Sequence, residues 1–289
     1  MRRACIDIGS NTTRLLVADC APQGIVQVHQ ERAFTHIAGG RLPDGTIAAE
    51  KIAEVADVVA AQLAAARELE SVDVHAVATA AIRRSSNGPE LAAAVREASG
   101  LELRILTWEE EARLAFVGAA RAFGHVPDGN LGVVDVGGGS SELVVGNVPD
   151  RVLWSASFEL GSGDLARGFL RSDPPSASEL AAAADKIRAT LGELEIPRPA
   201  EAVAVGGSAM SLCLMAGPTL DQTAFARALG ALAAAPSREI ARRFALDIDR
   251  VRLLPAGLLI LQAVSELFGP LKVAAGGLRE GVLMEASAG

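Results

Sequence analysis

Cys5-Ile6-Asp7-Ile8-Gly9-Ser10-Asn11-Thr12-Thr13-Arg14-Leu15-Leu16-Val17 and Val133-Val134-Asp135-Val136-Gly137-Gly138-Gly139-Ser140-Ser141-Glu142-Leu143-Val144-Val145 are two versions of one pattern. An offset of 128 aligns Asp with Asp, Gly with Gly, hydroxyl with hydroxyl and Leu with Leu. Each copy is a hydrophobic strand, an Asp, a glycine-containing tight turn and a second apolar strand. A third strand is expected after each, over Gly24–Phe34 and Arg151–Leu160, and loops of this composition join strands as hairpins. The repeat predicts two domains of similar plan facing one another. The division expected is 1–125 and 126–289, with Gly124–Asn130, containing Pro127, Asp128 and Gly129, as the linker.

Outside the repeat, helix and strand alternate. Thr46–Leu69 carries Ile52, Val55, Val59 and Leu63 at helical spacing. Strands are expected at Asp73–Thr79 and Leu101–Leu106, and helices at Pro89–Ser99, entered through Asn87, and Trp108–Phe123. Further on, helices are expected at Ser178–Glu195, Ser208–Met215, Asp221–Ala234, Ser237–Phe244, Arg250–Phe268 and Leu278–Ala286, with Pro255 bending or breaking the fifth. Ala202–Val205 and Leu271–Ala275 read as strands. Such alternation implies an α/β architecture.

Composition narrows the classes. At 289 residues and 50% hydrophobic content, two ordinary domains can each bury a core without metals or staples. Three cysteines, Cys5, Cys20 and Cys213, match no zinc or redox spacing and read as buried thiols of a reducing compartment. Met1-Arg2-Arg3 opens like a leader, but Asp7 and Gly9-Ser10-Asn11 interrupt the apolar run. No uncharged apolar stretch of spanning length follows, so a cytoplasmic protein with no membrane partner is expected. A net charge of −8 argues against nucleic-acid wrapping, while leaving room for a polyanion in a local basic site. Nearly all positive charge is arginine, which suits phosphate, although an alanine- and arginine-rich codon bias is the stronger account of it and composition alone decides nothing about substrate.

The glycine turns point to phosphate. Successive backbone N–H groups in such a turn form an anion-binding nest, and glycine lets the ligand approach. Gly137-Gly138-Gly139-Ser140 is the stronger turn, Gly9-Ser10-Asn11-Thr12 its counterpart, and Gly206-Gly207-Ser208, opening a helix after a strand, a third anion site. Asp7 and Asp135 each precede a turn, where a carboxylate can hold Mg²⁺ (or Mn²⁺). No P-loop is present. Gly161-Ser162-Gly163-Asp164-Leu165-Ala166 fits the loose dinucleotide pattern, but the hairpin strands before it argue against a parallel dinucleotide fold.

Taken together, Ile6–Thr12, Ala78–Arg83 with Asn87, Ile105–Leu114 containing Glu-Glu-Ala-Arg, Val134–Leu143, Gly206-Gly207-Ser208 and Gly277–Leu283 make the chain resemble the exopolyphosphatase and guanosine pentaphosphate phosphohydrolase (Ppx/GppA) family of the actin-like and sugar-kinase superfamily. The resemblance implies two actin-like (ribonuclease H-like) domains, α/β with mixed sheets flanked by helices, and a cleft between them. It implies the short two-domain form, since many members carry a further helical C-terminal region, and it makes a homodimer an expectation. Trp108 stands where members often have glycine.

Roles follow. Thr107 and Glu110 form a capping box, so Glu110 serves the helix. The family's general base aligns with the Glu before Ala-Arg, which is Glu111. Phosphoryl transfer needs positioning and charge neutralisation, so Asp135 is assigned to the metal with Glu142 and Asp7 assisting, and the resemblance implies the same for Asp135 and Glu142. Gly9, Ser10, Asn11, Thr12, Gly137, Gly138, Gly139 and Ser140 are expected to donate to phosphate oxygens, with Gly206, Gly207 and Ser208 holding the far end of the substrate. Arg83, read at a strand's end, is the candidate clamp on the transferring phosphoryl, and Arg84 is expected in solvent. Asn87 reads as a helix cap, Arg279 with Glu280 as a packing ion pair, and the four histidines as structural.

The expected activity is release of terminal orthophosphate from inorganic polyphosphate. Hydrolysis of guanosine pentaphosphate is the alternative, against which the absence of tyrosine and an aromatic content of 3% tell slightly. A non-catalytic polyphosphate or nucleotide sensor and a kinase of the same superfamily complete the readings.

Overall fold

The computed structural model describes residues 1–21, 24–40, 42–192 and 194–288. It divides into two compact units, Met1–Gly118 with Leu278–Gly289, and Ala119–Gly277. The expected division at 125/126 differs in two ways: the boundary falls inside a helix, and the last helix packs with the first unit. That helix carries Leu278, Val282 and Leu283, which bury against Cys5, Leu16 and Leu114 of the first unit.

In the first unit, β1 (Arg2–Ile8), β2 (Thr12–Ala21) and β3 (Gly24–Phe34) form an antiparallel meander, followed by a 3-10 turn at Ile37–Gly40 and α1 (Ala49–Glu68). Next come β4 (Asp73–Ala78), α2 (Ala80–Arg83), α3 (Gly88–Ser99), β5 (Leu103–Ile105) and α4 (Trp108–Ala122). The sheet order is β3-β2-β1-β4-β5, with β4 parallel to β1 and β5 parallel to β4. The period-2 alternation of β1 sorts its side chains by face. Ala4, Ile6 and Ile8 pack on Ile52, Val55 and Val59 of α1 and Leu91 of α3, whereas Cys5 faces Leu114 of α4 and Leu278 and Val282.

The second unit repeats the plan. β6 (Leu131–Val136), β7 (Ser141–Asn147) and β8 (Arg151–Phe158) form the meander, then come α5 (Ser162–Phe169), α6 (Ala177–Leu191), β9 (Glu201–Val205) and α7 (Gly206–Ala216). β10 (Thr219–Leu220), α8 (Gln222–Ala234), α9 (Ser237–Phe244), α10 (Ile248–Phe268) and β11 (Leu271–Val273) complete it. α11 (Leu278–Ala288) is the helix returned to the first unit. The order is β10-β11-β9-β6-β7-β8, with β9 parallel to β6 and β11 parallel to β9. Two mixed sheets flanked by helices are thus the expected architecture.

Three readings of the chain are corrected. β8 ends at Phe158, not Leu160, and β10 was not expected. α6 ends at Leu191; of the helix expected to Glu195, Glu193 lies outside the described residues. α10 runs unbroken through Pro255 and is long and apolar enough to cross a membrane by length and composition, although Arg252 and Glu266 keep it from being an uncharged stretch. Of that apolar window 67% is buried inside the protein, packed with Val134, Leu143 and Leu212, so its uniform hydrophobicity is that of a core helix.

Candidate active site

The two glycine turns have the same geometry. Gly9 N donates to Thr12 O at 3.0 Å, and Gly137 N donates to Ser140 O at 2.9 Å. A Cβ on Gly9 would lie 3.2 Å from Thr12 O, and one on Gly137 3.1 Å from Ser140 O. Each turn is braced by the segment after the third strand. In the first unit the N–H groups of Thr35 and His36 donate to Asn11 O at 3.1 and 3.0 Å, and that of Ala38 to Ser10 O at 2.9 Å. In the second, Ser162 N donates to Gly137 O, and Gly163 N and Asp164 N to Gly138 O. Because C=O and N–H point opposite ways in a trans peptide, these braces turn the N–H groups of Asn11 and Gly138 away from themselves, the orientation a nest needs.

The dinucleotide-like stretch is therefore explained. The N–H groups of Ser162, Gly163 and Asp164 are committed to the turn's own carbonyls. Gly161 passes so close to Gly138 and Gly139 that any Cβ would collide with their backbone.

The acids are placed by strand register. Asp135 pairs directly with Glu142 across β6 and β7, so both carboxylates leave the sheet on one face. Glu142 is buried and accepts from Ser157 Oγ at 2.9 Å. Asp135 sits at the N-terminus of α7, where the helix dipole favours its charge. Gly206, at φ +84°, makes this possible, since a Cβ there would stand 2.5 Å from Asp135 Oδ1. Gly207 is likewise occupied from within: a Cβ would meet the Arg250 guanidinium at 2.7 Å. Arg250 had no motif to mark it. Ser208 is fully buried, its hydroxyl facing Gly257 without a hydrogen-bond partner.

In the first unit the same register position reads differently. Asp7 faces Arg14, not a second acid. Its Oδ1 is buried with no hydrogen-bond partner, and burial pushes its pKa above the usual carboxylate value, opposed by Arg14 and Arg279. Arg279 is itself buried and donates to Leu15 O at 3.3 Å.

Glu111 lies in the first turn of α4, only 8% exposed. Arg83 Nη1 donates to Glu111 Oε2 and to Leu106 O, each at 2.8 Å. Arg83 belongs to the short helix α2 and not to a strand end, because Thr79 opens a helical turn directly after β4. Arg84 is half-buried and donates to Ala80 O at 3.3 Å, not solvated as expected. Thr107 and Glu110 make the capping box, with Glu110 also on Arg104, which with the Thr107 N–H holds its carboxyl below the usual range. Asn87 makes no cap bond: its amide pairs with both N and O of Ile47, at 2.8 and 2.9 Å. α11 packs closely on α4, where a Cβ on Gly281 would collide with Leu114 O.

Mg²⁺ fits the donors. Directly opposed carboxylates repel unless a cation lies between or near them, and Asp135 with Glu142 supply hard oxygen donors. Among the described residues no three His, Cys, Asp or Glu side chains gather. A metal that keeps several waters and takes one or two carboxylates matches that supply.

The Ppx/GppA phosphatase family model matches residues 16–288. The chain belongs to the Ppx/GppA phosphatase family. As a Ppx/GppA protein it is a phosphoanhydride hydrolase. It is similar to Exopolyphosphatase 1 of Mycobacterium tuberculosis strain H37Rv, 31% identical over 306 residues covering 98% of this chain and 88% of that one. The Aquifex aeolicus Ppx/GppA crystal structure superposes with a TM-score of 0.83 at 28% identity, covering 100% of this chain and 98% of that one. An exopolyphosphatase from Cytophaga hutchinsonii shares the fold, with a TM-score of 0.89 at 24% identity over 99% and 97% of the two chains.

Proposed function

We propose that this Ppx/GppA protein is an exopolyphosphatase that removes the terminal phosphate of inorganic polyphosphate, with Glu111 as general base. The observation that carries this is the Arg83–Glu111 pair: a nearly buried carboxylate fixed in one orientation by an arginine whose Nη1 is doubly anchored. A carboxylate is a weak base in water, yet suffices when held against a water in line with the scissile bond. Likeness to Exopolyphosphatase 1 supports polyphosphate as the substrate.

Glu111 takes a proton from the attacking water as its oxygen bonds to the terminal phosphorus. The P–O bond to the next phosphate breaks, and the electron pair leaves with the shortened chain. Arg83, anchored through Nη1, presents Nε and Nη2 to the phosphoryl oxygens. The turns at Gly9–Thr12 and Gly137–Ser140 donate N–H groups to phosphate. Asp135 and Glu142 would hold Mg²⁺, which supplies neutralisation of charge on the phosphate oxygens.

The test is phosphate release from tripolyphosphate, from long-chain polyphosphate and from guanosine pentaphosphate, each with Mg²⁺ and with chelator. Metal-dependent release from polyphosphate is expected. Release from guanosine pentaphosphate alone would replace the substrate, and release from none would leave a binding protein.

A further inference from the structure

The end of β3 carries an exposed stack that the sequence reading passed over. The Arg32 guanidinium lies over the Phe34 ring, 5.8 Å from its centroid, and the Phe34 and His36 rings stack at 5.7 Å and 22°. Arg32 and His36 are exposed, and no carboxylate partners Arg32 among the described residues. Stacking fixes the plane of this guanidinium without neutralising it.

Two observations tie the stack to the first glycine turn. His36 is held at φ +46°, a conformation uncommon for residues other than glycine, while its N–H and that of Thr35 donate to Asn11 O. Backbone kept in a sparsely populated region is retained where surrounding contacts impose it, often beside a functional site. The strand register also runs Asp7↔Arg14↔Arg32, and Thr12↔Phe34, across β1, β2 and β3. Directly paired residues share a face, so Arg14 and Arg32 form a row leading from the strand end that opens the turn to the sheet edge. Arg32 stands two strand spacings, about 10 Å, from β1.

We infer that Arg32, stacked on Phe34 and His36, is a subsite for the trailing phosphates of the substrate, those beyond the phosphoryl that is hydrolysed. This rests on the proposed hydrolysis of polyphosphate and makes chain length its readout. A guanidinium of fixed orientation, one row beyond the turn, grips anionic oxygens that a short substrate does not extend to reach. Phe34 and His36 are positioning residues acting through Arg32.

The test compares wild type with Arg32→Ala and Phe34→Leu, measuring kcat/KM on tripolyphosphate, on long-chain polyphosphate and on guanosine pentaphosphate. The long-to-short ratio is expected to fall about tenfold in Arg32→Ala and in the same direction, by less, in Phe34→Leu, with thermal unfolding matching wild type. An unchanged ratio, or equal losses on both lengths, overturns the subsite. So does a loss confined to guanosine pentaphosphate, which would make the stack a nucleoside site. If wild type releases phosphate from no substrate, the hydrolase reading fails separately. The subsite is then read from equilibrium binding of polyphosphates of both lengths: a loss in Arg32→Ala confined to long chains supports it, and equal affinities overturn it.

Discussion

Arg83 Nη1 holds Glu111 Oε2 at 2.8 Å while bonding Leu106 O at the same distance, so the candidate base and the candidate clamp are one hydrogen-bonded unit. Glu111→Gln keeps the shape and the acceptor oxygen but cannot take a proton. Phosphate release is expected to fall by about 10²–10⁴-fold, with polyphosphate binding retained. Rapid-quench turnover alongside calorimetric binding checks this, and turnover at the wild-type rate would remove Glu111 from the role of base.

Asp7 predicts a stability change of the opposite kind. Its pKa is raised by burial, so its contribution to stability is fully present when protonated and is lost as pH rises through the folded value. Asp7→Asn removes an unpartnered buried oxygen's charge. The variant is expected to be more stable near pH 7 by about 1 kcal/mol, roughly 2–4 °C in melting temperature. The gap should close in acid, where wild-type Asp7 is neutral too. A variant melting at or below wild type at pH 7 would show that Asp7 is stabilised by its arginines.

The acid pair gives a metal prediction. Glu142 faces Asp135 across the strands and is held by Ser157. Glu142→Gln relieves the repulsion and removes one hard donor, so the Mg²⁺ concentration for half-maximal phosphate release should rise about tenfold or more. Titrating Mg²⁺ against activity measures it; an unshifted midpoint would take Glu142 out of the metal's surroundings.

Two glycines separate architecture from site. At Gly281 a Cβ collides with the Leu114 carbonyl of α4, and at Gly161 with the backbone of Gly138 and Gly139. Gly281→Ala should therefore cost about 1–3 kcal/mol by overpacking, seen as a lower melting temperature. Gly161→Ala should displace the second turn and lose activity out of proportion to stability. If Gly161→Ala retains full phosphate release, the braced turn is not needed in that geometry.

Most of the fold was readable along the chain, because it is written in local periodicities. The alternation Ala4, Ile6, Ile8 against Cys5 and Asp7 sorts the faces of a strand, and Gly9 and Gly137 mark tight turns whatever the rest of the chain does. The repeat carried the two-unit plan, and Thr107 with Glu110 carried the start of α4. These depend on neighbours within a few residues, so sequence order suffices.

What only the tertiary structure decided depends on partners far apart in sequence. Asn87 resembles a cap but pairs with Ile47, because a backbone segment in need of both a donor and an acceptor lies beside it. Gly206 and Gly207 read as a phosphate loop through their backbone N–H groups, and packing adds a second demand for glycine there, since a Cβ on either would meet Asp135 or Arg250. α11 belongs to the first unit since Gly281 lets it meet α4, a contact no local pattern encodes. Side-chain chemistry is fixed by residue type, but which neighbouring residue a glycine makes room for is set by which elements packing brings against it.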